Sequence, residues 1–357
     1  QRRLLQEGLS PEPRGTARAE RFSRQARFKP LGTAGQERLQ RARVAIVGIG
    51  ALGTHLADAI VRAGAAQVWL IDRDVVEPHN LPRQVLFDEA DAARGTPKAV
   101  AAAEHLRRID GACDLVAVAD EFTPTTLADL GAEPDLILDG TDNFATRYVI
   151  NDVALQRGVP WVYGAALGSE GMAMAVLPWR TPCLRCILPE PPASGDGGTC
   201  ETEGILAPAV AMVTAFQSAQ AIKILAGRLD EVARGVFTVD VWRDRYGMQL
   251  EHAERSPDCA SCAAGELPAL RAGAAPAVTL CGREAVQVRP TGTGFDRTAW
   301  VARLRGAGVE VEETPHLVRF AADGCRFSVF ADGRALLFGT ADTRRASALY
   351  DRWVGGR

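Results

Sequence analysis

The sequence predicts a doubly wound α/β fold on a mostly parallel sheet, followed by a small C-terminal α+β domain. Three observations carry that prediction. Short apolar runs alternate with helical segments through the first part of the chain. A Gly-x-Gly-x-x-Gly turn, Gly48-Ile49-Gly50-Ala51-Leu52-Gly53, joins the first apolar run to the first helical segment. An acidic residue, Asp72, then closes the second run about 20 residues further on.

The elements follow in order. Arg43 to Gly48 (RVAIVG) is a short apolar run ending in glycine, which predicts a buried parallel strand. Ala51 to Ala63 carries Leu52, Leu56, Ala59 and Ile60 at helical spacing, and Gly64 stops it. Gln67 to Ile71 is the second strand. Pro97 to Ile109 reads as a helix with Thr96 as N-cap and Pro97 in its first position. Asp114 to Ala119, Asp135 to Asp139 and Pro160 to Tyr163 read as further strands, and a helix begins near Phe144. The longest apolar stretch, Ile205 to Leu225, contains Gln217, Gln220 and Lys223 at helical spacing, so it reads as a buried or subunit-facing helix and not as a membrane span.

Domain organisation follows from composition. The locally basic residues 1–18 read as a solvated, disordered arm, and 19–262 as the main domain. Residues 187–204 are rich in Gly and Pro and predict a mobile loop. Residues 263–277 read as a linker to a domain spanning 278–357. There, Ala285 to Val288, Val309 to Glu312, Leu317 to Ala321, Arg326 to Phe330 and Ala335 to Phe338 alternate like half-buried strands. Asp332-Gly333 marks a hairpin turn, and Thr343 to Val354 closes the domain as a helix.

With 357 residues, 47% hydrophobic, the chain holds enough apolar material for a sizeable core. Its net charge of -3 gives no reason to expect nucleic acid or a membrane surface as partner. No apolar h-region follows the first charges, which argues against a secretory signal. Of eight cysteines, four form two Cys-x-x-Cys pairs and four stand alone, a distribution that suits a reducing, cytoplasmic setting.

The Gly-rich turn has a physical job. Its first glycine allows the tight turn, its second lets backbone approach a ligand, and its third packs helix on strand. The helix N-terminus behind it offers free amides to a phosphate. This much says "nucleotide" and nothing about reaction. The stretch Asp72 to Gln84 adds carboxylates, Asn80 and Arg83 after the expected acid, a mixture suited to a ribose carrying a charged phosphate chain. Lys98 stands in the first turn of a helix, where the macrodipole disfavours a cation by a few tenths of a kcal/mol unless an anion lies nearby. Cys183-Leu184-Arg185-Cys186 and Cys259-Ala260-Ser261-Cys262 supply four soft ligands, the set of a closed structural Zn²⁺ site. The histidines show no metal-type clustering, and Cys113 and Cys325 read as core thiols.

With these motifs and Thr141-Asp142-Asn143 in order, the chain resembles the MoeB/ThiF family from about Arg21 to about Cys262. The resemblance implies a Rossmann-like sheet and an adenylyltransferase. The substrates it implies are ATP with Mg²⁺ and a ubiquitin-like sulfur-carrier protein ending in Gly-Gly, with a sulfur donor protein as a further partner. It assigns ribose binding to Asp72, with Asp74 beside it, and phosphate contacts to Asn80, Arg83 and Lys98. Asp142 matches the aspartate that organises Mg²⁺ and the attack on the α-phosphate, its alternative being a helix cap. Arg24, in Arg21-Phe22-Ser23-Arg24-Gln25, matches an arginine that reaches the other subunit's triphosphate, which implies a homodimer. Pro82 and Gly140 depart from the family pattern.

Cys200, in the 187–204 loop, matches a family cysteine that in some members bonds to the carrier or its sulfur. Flanking Glu201 and Glu203 work against thiolate formation there. Three other readings remain open on sequence: a ubiquitin-style activating enzyme holding its partner as a thioester on Cys200, an NAD-dependent oxidoreductase, and an inactive scaffold. Cys281 and the C-terminal domain have no assigned role.

Overall fold

The computed structural model describes residues 16–190, 202–251, 254–271, 277–279, 284–290 and 294–355. Eight strands form the larger sheet: β1 (Arg43–Val47), β2 (Gln67–Ile71), β3 (Asp114–Val118), β4 (Leu136–Asp139), β5 (Trp161–Leu167), β6 (Glu170–Val176), β7 (Val236–Asp240) and β8 (Arg245–Gln249). Their order is β3-β2-β1-β4-β5-β6-β7-β8. The first five are parallel, with Val44 opposite both Val68 and Leu136, and β5 to β8 continue as antiparallel neighbours.

Strand alternation explains why the parallel runs are apolar throughout. Val44 and Ile46 face a core shared with the helices Ala51–Ala63, Lys98–Ile109 and Ala207–Leu225. Ala45 and Val47 face a second core built with Phe144–Arg157. Truncating a fully buried residue such as Ile46 or Ile60 to Ala costs about 2–5 kcal/mol.

A second, antiparallel sheet contains β9 (Ala277–Thr279), β10 (Ala285–Val288), β11 (Val311–Glu313), β12 (Leu317–Ala322), β13 (Cys325–Phe330) and β14 (Ala335–Phe338), in the order β11-β12-β13-β14-β10-β9. The helices Arg297–Gly306 and Thr343–Trp353 cover one face, where Trp300, Leu304 and Tyr350 meet Val318, Phe320 and Phe327. On the other face Ala285, Leu317, Phe330 and Leu336 enclose Val75 of the first unit. The two units therefore touch through the segment that follows β2.

Several expectations need correction. Thr96 does not cap its helix: Pro97 is the N-cap, and the Thr96 hydroxyl is buried without a hydrogen-bond partner among the described residues. The cause is a bridge between Val75 and Pro97, with Val76 N donating to Thr96 O at 2.9 Å, which holds 96–97 extended. Part of the expected linker, 263–271, packs against the main unit: Ala269 N donates to the buried Asp152 carboxylate at 2.9 Å, and Leu267 and Leu270 join the second core. The arm is helical from Thr16, and its first 15 residues lie outside the described ones. β5 was expected only over 160–163, and its hairpin with β6 and the strands β7 and β8 were not foreseen.

Candidate functional site

A cavity of about 1050 Å³ opens at the carboxyl ends of the parallel strands. Its walls bring together Gly48, Gly50, Asp72, Asp74, Arg83, Lys98 and Asp142. Gly48, Gly50, Asp72, Lys98 and Asp142 stand just past a strand or at the start of a helix on the same edge of the sheet, and Asp74 and Arg83 lie in the loop that follows β2.

The Gly-rich turn is close-packed. Gly48 has φ +83°, and a Cβ there would lie 2.7 Å from Gly140 O. Gly53 lies against the same turn, where a Cβ would stand 1.8 Å from Gly48 O, so its role is helix-on-strand packing and it does not line the cavity. Gly140, a departure from the family pattern, is required here: its Cβ would approach Gly48 O to 2.3 Å. Gly50 has only Gln84 Nε2 nearby, at 3.9 Å from its would-be Cβ, and leaves backbone open to the cavity.

Asp72 ties the turn to its own loop. One carboxylate oxygen accepts from Ile49 N at 2.6 Å, the other from Asp74 N at 2.7 Å. Burial pushes its pKa above the ordinary carboxylate range, with Asp74 adding to the rise and Lys98 opposing it. Lys98 Nζ meets Asp74 Oδ2 at 3.2 Å, with the lysine side chain 4% exposed. That pairing accounts for a cation in the first turn of a helix.

Asp142 is exposed on the cavity wall. The helix-cap alternative falls to its neighbour: Asn143 is the N-cap of Phe144–Arg157, accepting from Thr146 N at 2.8 Å. Arg83 lines the cavity while Nη1 donates to His79 O at 2.7 Å. Asn80 differs from the expectation. It is fully buried, is absent from the cavity lining, and its Oδ1 accepts from Glu77 N at 3.0 Å in a capping box. Its geometry is that of a loop-shaping residue, although the buried Nδ2 has no hydrogen-bond partner among the described residues. Arg24 is exposed on the short helix Ser23–Ala26, away from the cavity of its own chain. Cys200 and Cys281 lie outside the described residues.

Three buried residues went unassigned. Arg147 Nη2 donates to Thr141 O at 2.7 Å and to Gly164 O at 3.2 Å, while Nε stands 3.4 Å from the fully buried Asp139. Burial raises the Asp139 pKa, and Arg147 counters it. Asp139 also accepts from the backbone and hydroxyl of Thr141, so it holds the Thr141-Asp142 loop. Gln217 donates to Asp139 O at 2.9 Å and to Val162 O at 3.2 Å. The sequence showed Gln217 only as a polar residue in an apolar helix.

Away from the cavity, Cys183, Cys186, Cys259 and Cys262 bring their sulfurs within 4.8 Å of one another. Individual separations are 3.9 Å (Cys183–Cys186), 3.6 Å (Cys183–Cys259) and 3.3 Å (Cys186–Cys262). Four thiolates about 2.3 Å from one Zn²⁺ stand about 3.8 Å apart in a tetrahedron, so this set fits the ion. His105 also proves to be clustered, contrary to expectation: Nε2 lies 2.7 Å from Asp91 Oδ2 beside Asp88. Asp88 and Asp91 form the capping box of Glu89–Arg94 and Arg94 pairs with Asp91, so helix capping and ion pairing account for the group.

The class of protein follows from this geometry: a doubly wound α/β protein whose cavity occupies the edge where such sheets hold nucleotides, with a four-cysteine cluster apart from it. The chain belongs to the ThiF family, whose model matches residues 22–261. A sulfur carrier protein ThiS adenylyltransferase from Bacillus subtilis is 40% identical over 337 residues, 94% of this chain and 99% of that protein. A sulfur carrier protein adenylyltransferase from Thermus thermophilus is 33% identical over 258 residues, 71% of this chain and 93% of that one. The adenylyltransferase and sulfurtransferase MOCS3 of Sus scrofa is 38% identical over 248 residues, and the chain spans only 53% of its length. Among solved structures, E. coli MccB with ATP gives a TM-score of 0.58 at 22% identity, covering 68% of this chain and 74% of that chain, a likeness of fold. The relatives so named are nucleotidyltransferases. No helix among the described residues is long and apolar enough to cross a membrane.

Proposed function

We propose that this chain is an ATP-dependent adenylyltransferase that activates the C-terminal Gly-Gly carboxylate of a ubiquitin-like sulfur-carrier protein. Family membership and 40% identity along nearly the whole of both chains support the reaction class. The observation that carries the reading is the shared cavity: turn amides, a strand-end carboxylate, two cations and an exposed carboxylate line one space of about 1050 Å³. A small-molecule pocket commonly measures about 300–1,000 Å³, so this one has room for a nucleotide and part of an extended tail.

In this reading a carboxylate oxygen of the carrier's last glycine attacks the α-phosphorus. The bond from that phosphorus to the oxygen bridging toward the β-phosphate breaks. Pyrophosphate leaves with the electron pair, and an acyl-adenylate remains, ready to exchange AMP for sulfur from a donor protein. The chain's task is positioning and charge neutralisation. Asp72 accepts from the ribose hydroxyls, and Gly50 lets backbone approach the phosphates. Lys98 and Arg83 neutralise the triphosphate, with Asp74 orienting Lys98. Asp142, an exposed carboxylate with no capping duty, is the hard oxygen donor suited to Mg²⁺. When bound, that ion shields phosphate charge from the incoming carboxylate.

Arg24, exposed and remote from the cavity of its own chain, suits a contribution to a second protomer's triphosphate, hence a homodimer. The cysteine cluster suits a structural Zn²⁺, since four thiolates leave no open coordination position. Thiolates kept reduced for that purpose suit the cytoplasm.

The test is ATP–pyrophosphate exchange. Exchange that requires a Gly-Gly-tailed carrier, and is lost when the tail is removed, supports the proposal. Tight NAD(H) binding without exchange by any such carrier overturns it.

A further inference from the structure

Arg334, in the turn between β13 and β14, is 1% exposed although it follows the hairpin residues Asp332-Gly333. A guanidinium taken out of water needs partners for its donors. Its face lies 3.7 Å from the centroid of the Phe330 ring. Nη1 donates to Arg73 O and Nη2 to Ala119 O, each at 2.9 Å. Those carbonyls stand just past the ends of β2 and β3. There the parallel ladder has made its last rung, from Asp72 N to Val118 O at 3.0 Å. The planar fork of Arg334 thus spans two strand ends that no longer pair, acting as one more rung.

Two further contacts surround that rung. Arg289 Nη2 donates to Asp120 Oδ1 at 2.8 Å and reaches Glu121 Oε2 at 3.4 Å, and both acids are on the cavity wall. Burial alone would raise the Asp120 pKa, but Arg289, the Glu121 amide and Arg334 together outweigh it and leave Asp120 low. Arg319 lies against Gly95, where a Cβ would stand 1.5 Å from Nη2, three residues before Lys98. Arg73 itself sits between Asp72 and Asp74. Loops 72–74 and 119–121 and the turn at Gly95 are therefore each met from behind by a side chain of the second unit.

We propose that the C-terminal unit is the back wall of the nucleotide site, and that Arg334 is the positioning residue that fixes loop 72–74 against loop 119–121. This rests on the adenylyltransferase reading. Arginine suits the role because it satisfies both carbonyls at once. Lysine reaches one, and methionine fills the space and reaches neither.

The experiment compares Arg334→Lys and Arg334→Met with the parent protein, all as full chains, in ATP–pyrophosphate exchange and in calorimetric binding of a non-hydrolysable ATP analogue. Arg334→Met is expected to raise the KM for ATP and the analogue's Kd at least about tenfold, with kcat changed by less than about threefold and the carrier KM unchanged. Arg334→Lys is expected to fall between. If both variants show parental circular dichroism and metal content yet bind nucleotide as the parent does, the inference is overturned. Should neither fold, Arg289→Gln decides: a KM for ATP raised about threefold supports the back wall, and no change overturns it. A parent that binds the analogue in an Arg334-dependent way but exchanges with no carrier defeats the adenylyltransferase reading and leaves the back wall standing.

Discussion

Replacing Lys98 by Met keeps the length of the side chain and removes its charge, with two separable consequences. The ammonium is 4% exposed and lies 3.2 Å from Asp74, whose side chain retains 20% exposure. Removing one partner of a buried pair costs about 3–5 kcal/mol, and the residual exposure of Asp74 brings this pair to about 2–3 kcal/mol. Most of that penalty is the loss of the ammonium from beside a largely buried carboxylate, so Lys98→Met combined with Asp74→Asn is expected to regain most of the lost stability in urea denaturation. Activity behaves differently. A cation a few ångströms from a phosphate contributes up to about 4 kcal/mol at an effective dielectric of 20. Pyrophosphate exchange is therefore expected to fall at least about a hundredfold, about 2.7 kcal/mol of barrier, in the single and the double variant alike. If the single variant is as stable as the parent, or the double variant recovers exchange, the reasoning is refuted.

Asp142→Ala is expected to lower turnover in the same assay at least about tenfold, about 1.4 kcal/mol, without loss of stability, because Asn143 caps the helix; near-parental turnover contradicts the assignment. Gly53→Ala forces a methyl against Gly48 O and is expected to destabilise by at least about 1–3 kcal/mol and to weaken ATP binding, read by thermal unfolding with and without ATP. Metal removal by a chelator is expected to cost roughly 4 kcal/mol, since the cluster closes a loop between residues 76 apart; metal analysis and denaturation midpoints check both parts. For pH, the sign runs through Asp72, whose pKa burial raises. Its protonated form favours the folded state, so its contribution to stability is full below the ordinary carboxylate range and is lost as pH rises through the raised value. Ribose binding needs the carboxylate and runs the other way: the KM for ATP is expected to climb as pH falls through that raised value. Lys98→Met shifts the climb to higher pH.

The parallel half of the sheet was legible because strands buried on both faces must be apolar along their length, as Arg43–Val47 and Gln67–Ile71 are. That Gly48, Gly50, Asp72, Lys98 and Asp142 would share one edge of the sheet was legible, because a Gly-rich turn and the strand ends beside it fall at fixed spacings in this topology. The antiparallel half was not. Arg245–Gln249 (RYGMQ) is half exposed and lines the cavity, so it carries no apolar run to read. Arg147 looks in sequence like a surface residue of its helix and Gln217 like an isolated polar residue in an apolar one, and only the stacking of sheet on helix brings them to Asp139. Asn80 matched a motif, but a capping box turned it inward. Arg334 was the least legible: beside Asp332-Gly333 it resembles any solvated turn residue, and only the docking of one sheet on another reveals its two carbonyls.

That docking imposes a timetable on biosynthesis. The contacts from Arg334 to Arg73 and Ala119 cross 261 and 215 residues of chain. A ribosome delivers the loops bearing Asp72 and Asp120 long before it delivers Arg334, so on the bracing role proposed for that arginine the pocket wall is fastened only once the β13–β14 hairpin has emerged.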